Sequence, residues 1–218
     1  MLKQMRVRLT FTEKVLGSQS GDPEITRTYI ASKSEDAKKI EEEVAALGVD
    51  GVEEKTMTIF PKMEDGTPHL WDYQIRGFFK SACGALNLAE PKTKLPAYKS
   101  KIDKLVFVDE RVIPLVMPEG GKIEQLQRPL RAQTAQGERI ALANSETVPA
   151  GTTIEFGITV LEPERVKPGD KSLIYRVADW LDYGRFSGIG QWRNASFGRF
   201  VWDMLDEDGE IIGGNNEV

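Results

Sequence analysis

A glycine-rich segment near the end of the chain places the strongest limit on the fold. Its sequence is SGIGQWRNASFGRF, at positions 187–200; it follows a helical pattern at 171–183 and runs into a strand pattern at 197–204. Glycine adopts positive φ angles and lets another segment approach closely, so the chain must turn tightly here. No Gly-Lys-Ser/Thr follows, which excludes a Walker loop, and the helix-loop-strand order excludes a dinucleotide-binding fingerprint.

The same segment carries the residue types that bind single-stranded nucleic acid. Successive backbone amides in such a loop form a concavity for anions. Arginines pair with phosphates, and an aromatic ring offers a stacking platform for a base. The candidate nucleic-acid-binding residues in the loop are Gly188, Gly190, Trp192, Arg193, Gly198 and Arg199. The alternative is a purely structural loop that packs tightly between helix and strand.

Hydrophobic periodicity predicts the remaining elements. Val7, Leu9 and Phe11 alternate with polar residues in a first strand at 5–12, and 34–47, 71–88 and 171–183 have helical spacing. Further extended segments are predicted at 55–60, 101–108, 110–114, 138–142, 145–148 and 152–161. This order predicts an α+β fold, a βαββαβ core with inserted strands and loops in which helices pack on an antiparallel sheet.

The domain prediction follows from length and charge. A chain of 218 residues suits one domain, which we assign to 1–205 with an inserted loop or hairpin at 115–140. Residues 206–218 are acidic and are predicted to be a flexible tail.

Composition excludes several functions. A single cysteine and a single histidine rule out an internal disulfide, a thiolate-rich zinc site and a two-histidine metal site, so we expect no metal and no cofactor. There is no apolar run long enough to cross a membrane and no secretory signal pattern, so we expect a cytoplasmic protein without a membrane partner.

The net charge of −5 conceals an asymmetry along the chain. Residues 34–54 hold eight acids against two lysines, and 203–218 hold six acids and no base. Outside these two segments 27 basic residues face 20 acidic ones, which is compatible with a locally basic surface that attracts a polyanion. The lysine-rich segment 92–104 would suit such a surface, as would the nearby arginines Arg128, Arg131 and Arg139. The alternative is that these charges only solvate the protein.

The helix at 71–88 adds two candidate phosphate contacts, Arg76 and Lys80. Gly77 between them allows a tight turn, and two cations at a helix N-terminus form a phosphate site. In the structural alternative, Phe78, Ala82 and Leu86 pack on the sheet while both cations lie in water.

Four segments, in order along the chain, resemble the RAMP superfamily of CRISPR-associated RNA-binding proteins. They are 6–17 (RVRLTFTEKVLG), 75–86 (IRGFFKSACGAL), 148–156 (VPAGTTIEF) and the glycine-rich loop. The loop departs from the family pattern at Ser196, where glycine is typical, and Arg76 replaces a proline. The resemblance implies a ferredoxin-like, RRM-like core and a role in binding CRISPR RNA or a related guide, and it does not select the type of subunit. The leading hypothesis is a non-enzymatic RNA-binding subunit of a CRISPR-type ribonucleoprotein in antiviral defence, or a phage- or element-borne relative. The partners it implies are single-stranded guide RNA and other subunits or copies of the chain.

The sequence is also consistent with two alternative functions. His69 is the one side chain that titrates near neutrality, and it would be the catalytic residue of a metal-independent, RNA-processing endoribonuclease. A lone loop histidine is more often a surface residue. The other alternative is an assembly protein without nucleic acid, in which the glycine-rich loop contacts a neighbouring subunit.

Overall fold

The structure, a computed structural model, describes residues 1–21, 57–92, 94–134, 137–162 and 170–216. The helix predicted at 34–47 lies outside the described residues. The elements in chain order are β1 (Leu2–Phe11), β2 (Val15–Leu16), β3 (Gln19–Ser20), β4 (Thr58–Ile59), β5 (His69–Trp71), α1 (Asp72–Ala89), α2 (Tyr98–Leu105), β6 (Val106–Val108), β7 (Val112–Pro114), β8 (Glu124–Thr134), β9 (Gly137–Val148), β10 (Thr153–Leu161), α3 (Leu173–Asp182), β11 (Phe200–Leu205) and β12 (Ile211–Gly214).

The main sheet has the strand order β12-β11-β1-β10-β6, and every neighbouring pair is antiparallel. When β12 is left aside, the sheet order is β11-β1-β10-β6. These are the fourth, first, third and second strands, in chain order, of the unit β1-α1-β6-β10-α3-β11. This is the ferredoxin-like arrangement of a βαββαβ unit. The predicted fold class is therefore confirmed by the strand order and registers of the chain itself.

The core lies between this sheet and its helices. Val7, Leu9 and Phe11 alternate along β1 and are fully buried, which follows from the period of two in a strand. α1 and α3 bury apolar side chains at helical spacing against the same face. The Phe78 and Phe200 rings meet edge to face at 5.1 Å and join α1 to β11 directly beside the glycine-rich loop.

A second sheet sits beside the core. Its strand order is β2-β9-β4-β3, with β8 paired to β9 in a long hairpin. Val15 and Leu16 of β2 pair with Val148 and Thr147, so the hairpin is attached to the chain immediately after β1. The hairpin occupies 124–148, further along the chain than the inserted loop or hairpin predicted at 115–140.

The structure corrects two predicted elements. The sequence pattern predicts an extended segment at 101–108, but residues 98–105 form helix α2. The helix is favoured because it buries Ile102 fully and packs Tyr98 and Leu105 on the core. The pattern also predicts a flexible tail, but 211–214 form the edge strand β12 on β11. Asn215 fixes this tail. Its side-chain oxygen accepts a hydrogen bond from the backbone N–H of Trp202 at 2.9 Å, and its side-chain Nδ2 donates to Asp182 Oδ1 at 2.8 Å.

Helix α1 begins at Asp72, so Gly77 lies inside the helix and makes no turn. A membrane-crossing helix is absent from the part of the chain that the structure describes.

Candidate nucleic-acid interface

Backbone hydrogen bonds join the two ends of the glycine-rich loop to each other and to Lys14, the residue before β2. Ile189 N–H donates to the Gly198 carbonyl at 3.0 Å, and Gly198 N–H donates to the Lys14 carbonyl at 2.9 Å. A Cβ atom at Gly188 would overlap the backbone of Phe197 and Gly198, and one at Gly198 would overlap the Ile189 carbonyl. Two of the predicted glycines are therefore required by close backbone approach.

The middle of the loop is an exposed, strained turn. Residues Arg193–Ala195 form one turn of 3-10 helix, closed by the Ala195 N–H on the Trp192 carbonyl at 2.8 Å. Trp192 and Ser196 flank it with φ angles of 53° and 72°. Residues other than glycine adopt this left-handed region at a cost, and such strain concentrates at ligand-binding positions.

An arginine of the hairpin reaches the aromatic side chains of this loop. The guanidinium carbon of Arg128, on β8, lies 5.6 Å from the centre of the Trp192 ring and 5.9 Å from that of Phe197. The two rings are themselves 6.1 Å apart. A cavity of about 690 Å³ opens here, lined by Arg128 and residues 190–195.

The charge at this surface differs from that of its surroundings. Lys14 is paired with Glu124 at 2.6 Å, and Lys62 is paired with Glu146 at 2.8 Å. Arg128 and Arg193, in contrast, have no carboxylate partner among the described residues. Two guanidinium groups are therefore available for phosphate beside an aromatic platform.

The other predicted loop residues have different surroundings. Gly190 has a φ of 94° and lines the cavity. Arg199 is only partly exposed, and its carbonyl accepts the Thr12 N–H at 2.9 Å, which ties the loop to the end of β1. Its Nε is buried without a hydrogen-bond partner among the described residues.

Arg76 and Lys80 lie on α1 and are both paired with carboxylates. Arg76 Nη2 donates to Asp72 Oδ2 at 2.7 Å, and Lys80 Nζ is 2.5 Å from Asp103 Oδ1. Asp72 also binds Arg111. These pairings favour the structural alternative for the two cations, because a phosphate would have to displace a carboxylate from each.

His69 is buried in β5 rather than exposed on a loop. Only 4% of its surface is accessible, and its ring meets Trp71 edge to face at 4.6 Å. Both ring nitrogens lack a hydrogen-bond partner among the described residues, and burial lowers the pKa of His69. In that same part of the chain, no hydrogen bond or ring contact joins His69 to the glycine-rich loop.

The described part of the chain contains neither a cluster of metal ligands nor a reactive thiol. It holds no group of three or more His, Cys, Asp and Glu side chains that could bind a metal ion. Burial raises the pKa of Cys83 to about 11, so the thiol stays protonated and unreactive near neutral pH.

Sequence reasoning missed how Arg128, Gln191 and Phe197 contribute to the surface. Thr58 Oγ1 donates to Gln191 Oε1 at 3.4 Å and shares a hydrogen bond of 2.7 Å with Ser145 Oγ, which links the loop to β4 and β9. Arg128 is distant in sequence from Trp192, so no local pattern could indicate their contact.

No protein-family model matches the sequence, and no curated protein is significantly similar to it. Solved structures similar to the chain include a Type III-B Cmr-beta bound to cognate target RNA (9% identity, TM-score 0.46, 91% of this chain and 58% of that chain) and a Type IV-B CRISPR complex (9%, 0.47, 97% and 95%). A third is Cmr6 from Pyrococcus furiosus (9%, 0.45, 92% and 98%). The chain thus spans little more than half the length of the first of these proteins.

Proposed function

We propose that this chain binds single-stranded RNA as a non-enzymatic, RAMP-like subunit of a CRISPR-type ribonucleoprotein in the cytoplasm. The RNA would be a guide, held at the surface formed by the glycine-rich loop and the β8–β9 hairpin. The four family-like sequence motifs and the ferredoxin-like core support this assignment.

One observation carries the proposal. Arg128 and Arg193 have no carboxylate partner in the described part of the chain, and both line a cavity beside the exposed turn at Trp192. Nearby lysines are neutralised by glutamates, so the unpaired guanidinium groups are concentrated at this surface. Charge-assisted contacts to phosphate, together with an aromatic ring, are the combination that binds single strands.

The outer face of the main sheet is a poorer candidate for RNA. Arg6 and Arg8 point to this face, but they are paired with Glu110 at 2.9 Å and Glu155 at 2.7 Å. RRM domains stack bases on aromatic side chains of their central strands. The outward positions of β1 and β10 carry no aromatic side chain here; they are Leu2, Gln4, Arg6, Arg8, Thr10, Thr153, Glu155, Gly157, Thr159 and Leu161.

A salt titration of binding to a short, fluorescent single-stranded RNA tests the proposal. We expect the logarithm of affinity to fall steeply with the logarithm of salt concentration, and Arg193→Ala to reduce that slope by roughly 0.7, the value for one lost contact on a single strand. Arg6→Ala is the matched control, because it removes the same charge from an ion pair on the outer sheet face. An equal change of slope in both variants, or no binding by the folded wild-type protein, would refute the proposal.

A second candidate is an assembly protein without nucleic acid. The edge strand β12 favours it, because Ile211 and Ile212 are both more than half exposed there and an edge strand offers unpaired backbone groups to another chain. The net charge of −5 is also less favourable to RNA. The ratio of absorbance at 260 and 280 nm of the purified protein separates the two candidates, since co-purified RNA raises it.

The endoribonuclease alternative has less support. Its test is His69→Ala, which should abolish cleavage of a bound RNA but leave binding intact if His69 is catalytic.

A further inference from the structure

We propose that the cavity between the glycine-rich loop and the hairpin takes one unstacked RNA base, which lies on the Trp192 ring and is covered by Arg128. This inference rests on the proposed function and deepens it. It gives the unpaired Arg128 guanidinium a specific role, which is to cover one face of a base.

The spacing between Arg128 and Trp192 is close to what a base needs. A flat ring inserted between two groups requires about 3.5–4.0 Å on each side, or roughly 7–8 Å in total. The guanidinium carbon of Arg128 is 5.6 Å from the Trp192 ring centre, which is already wider than direct stacking contact. An outward movement of about 1.5–2.5 Å would admit a base, and the Arg128 side chain is exposed to solvent on its other side.

The size of the cavity suits a nucleotide. Its volume of about 690 Å³ lies within the range of roughly 300–1,000 Å³ that small-molecule sites occupy. The backbone of Trp192 is held by the following 3-10 turn, which closes on its carbonyl, and its ring lies 6.1 Å from the Phe197 ring. An aromatic ring offers a base a stacking surface, and guanidinium groups are established partners for base faces.

The cavity also contains a group that can contact the edge of a base. Gln191 accepts a hydrogen bond from Thr58 through its side-chain oxygen at 3.4 Å, and its amide N–H₂ has no partner in the described part of the chain. An amide held in this way can donate to ring nitrogens or carbonyl oxygens of a base.

A structural role for Arg128 is the competing explanation. The same contact could simply tie the hairpin to the loop through cation–π attraction. The two explanations differ in what a lysine would do at this position, because lysine keeps the charge but lacks the planar group that stacks.

The test uses the full chain and a short oligouridylate in which 2-aminopurine replaces some bases, since 2-aminopurine fluorescence is quenched by stacking. We expect quenching with the wild-type protein. Arg128→Lys should weaken binding by roughly tenfold and reduce the quenching, with an unchanged salt slope because the charge remains. Lys122→Ala, which removes an exposed cation just before β8, is the control and should leave the quenching of the bound RNA unchanged.

The possible outcomes separate this inference from the proposed function. If Arg128→Lys binds and quenches like the wild-type protein, the base site is refuted and RNA binding stands. If the wild-type protein binds RNA without quenching, the base site is also refuted. If the folded wild-type protein binds no RNA, both proposals fail. Circular dichroism and thermal melting of Arg128→Lys establish that the variant is folded.

Discussion

Ser196 holds a backbone conformation that glycine adopts without strain. Its φ is 72°, and it stands where the RAMP-like loop pattern has glycine. A left-handed conformation costs an L-residue roughly 1–2 kcal/mol, while glycine loses about 0.5–1 kcal/mol through the entropy of the unfolded chain. We therefore expect Ser196→Gly to raise the free energy of unfolding by roughly 0.5–1 kcal/mol, as measured by urea denaturation.

The matched control for this prediction is Ser187→Gly in the same loop. Ser187 has no positive φ, so the same chemical change should lower stability slightly through the unfolded state alone. Equal effects at both positions would contradict the explanation by backbone strain.

We expect the buried His69 to make the free energy of unfolding depend on pH. Burial lowers its pKa in the folded protein, whereas in the unfolded chain it titrates near about 6.5. Between these two values the unfolded chain binds more protons, so the free energy of unfolding falls as the pH is lowered from about 6.5 towards the folded-state pKa. We expect His69→Leu to reduce this loss, as measured by urea denaturation between about pH 7 and about pH 5.

A difference in pH dependence between the wild-type protein and His69→Leu can be assigned to this imidazole, because the chain has one histidine and carboxylates titrate mainly at lower pH. Parallel pH profiles for the wild-type protein and the variant would show that the buried imidazole is not the cause.

At the scale of elements, two glycines that look alike in the sequence have opposite roles. Gly188 lies where the two ends of the loop cross, with no room for a Cβ atom beside Phe197 and Gly198. Gly77 lies in the interior of α1, where an added Cβ atom would have no neighbour within 4 Å outside the helix's own backbone. We expect Gly188→Ala to destabilise the protein by more than about 2 kcal/mol. Gly77→Ala should stabilise it by roughly 0.5–1 kcal/mol.

Thermal melting of the two variants, each against the wild-type protein, checks the pair. Loss of stability in Gly77→Ala would mean that this glycine serves a close approach or a turn, as its place in the sequence pattern predicts.

The elements that could be predicted are those with a strong local pattern. The alternation in β1 and the apolar spacing in α1 and α3 each indicate the correct element to within a few residues. Helix α2 could not be predicted, because it is short and its apolar face is defined by packing on the core. Strand β12 was missed because its acidic surroundings are typical of a free tail, whereas Asn215 fixes it to β11 and α3.

At the scale of the whole molecule, the ferredoxin-like topology brings distant segments to one surface. The glycine-rich loop lies just before β11, and the hairpin lies between β7 and β10, yet Arg128 meets Trp192. Composition of the loop indicates Trp192 and Arg193 as candidate RNA contacts. The Arg128 contact depends on how the hairpin packs beside β2, and the ion pairs of Arg76 and Lys80 depend on Asp72 and Asp103. None of these long-range partners has a signal in the local sequence.

Several surfaces in the described part of the chain expose aromatic rings, and they give a test of where RNA lies. Besides the loop with Trp192 and Phe197, exposed rings lie on the outer sheet face (Phe107), at the start of α1 (Tyr73), on α3 (Tyr175) and just after α3 (Phe186). Among the described residues, only at the loop does a cation without a carboxylate partner lie over an aromatic ring, because Arg111 near Tyr73 is bound to Asp72 and Lys3 near Tyr175 is paired with Glu162. We therefore expect ultraviolet crosslinking to uridine-containing RNA, followed by peptide mass spectrometry, to label the loop. Labelling should fall when Trp192 is replaced by leucine, and dominant crosslinks at Phe107 would instead indicate binding on the sheet face, as in RRM domains.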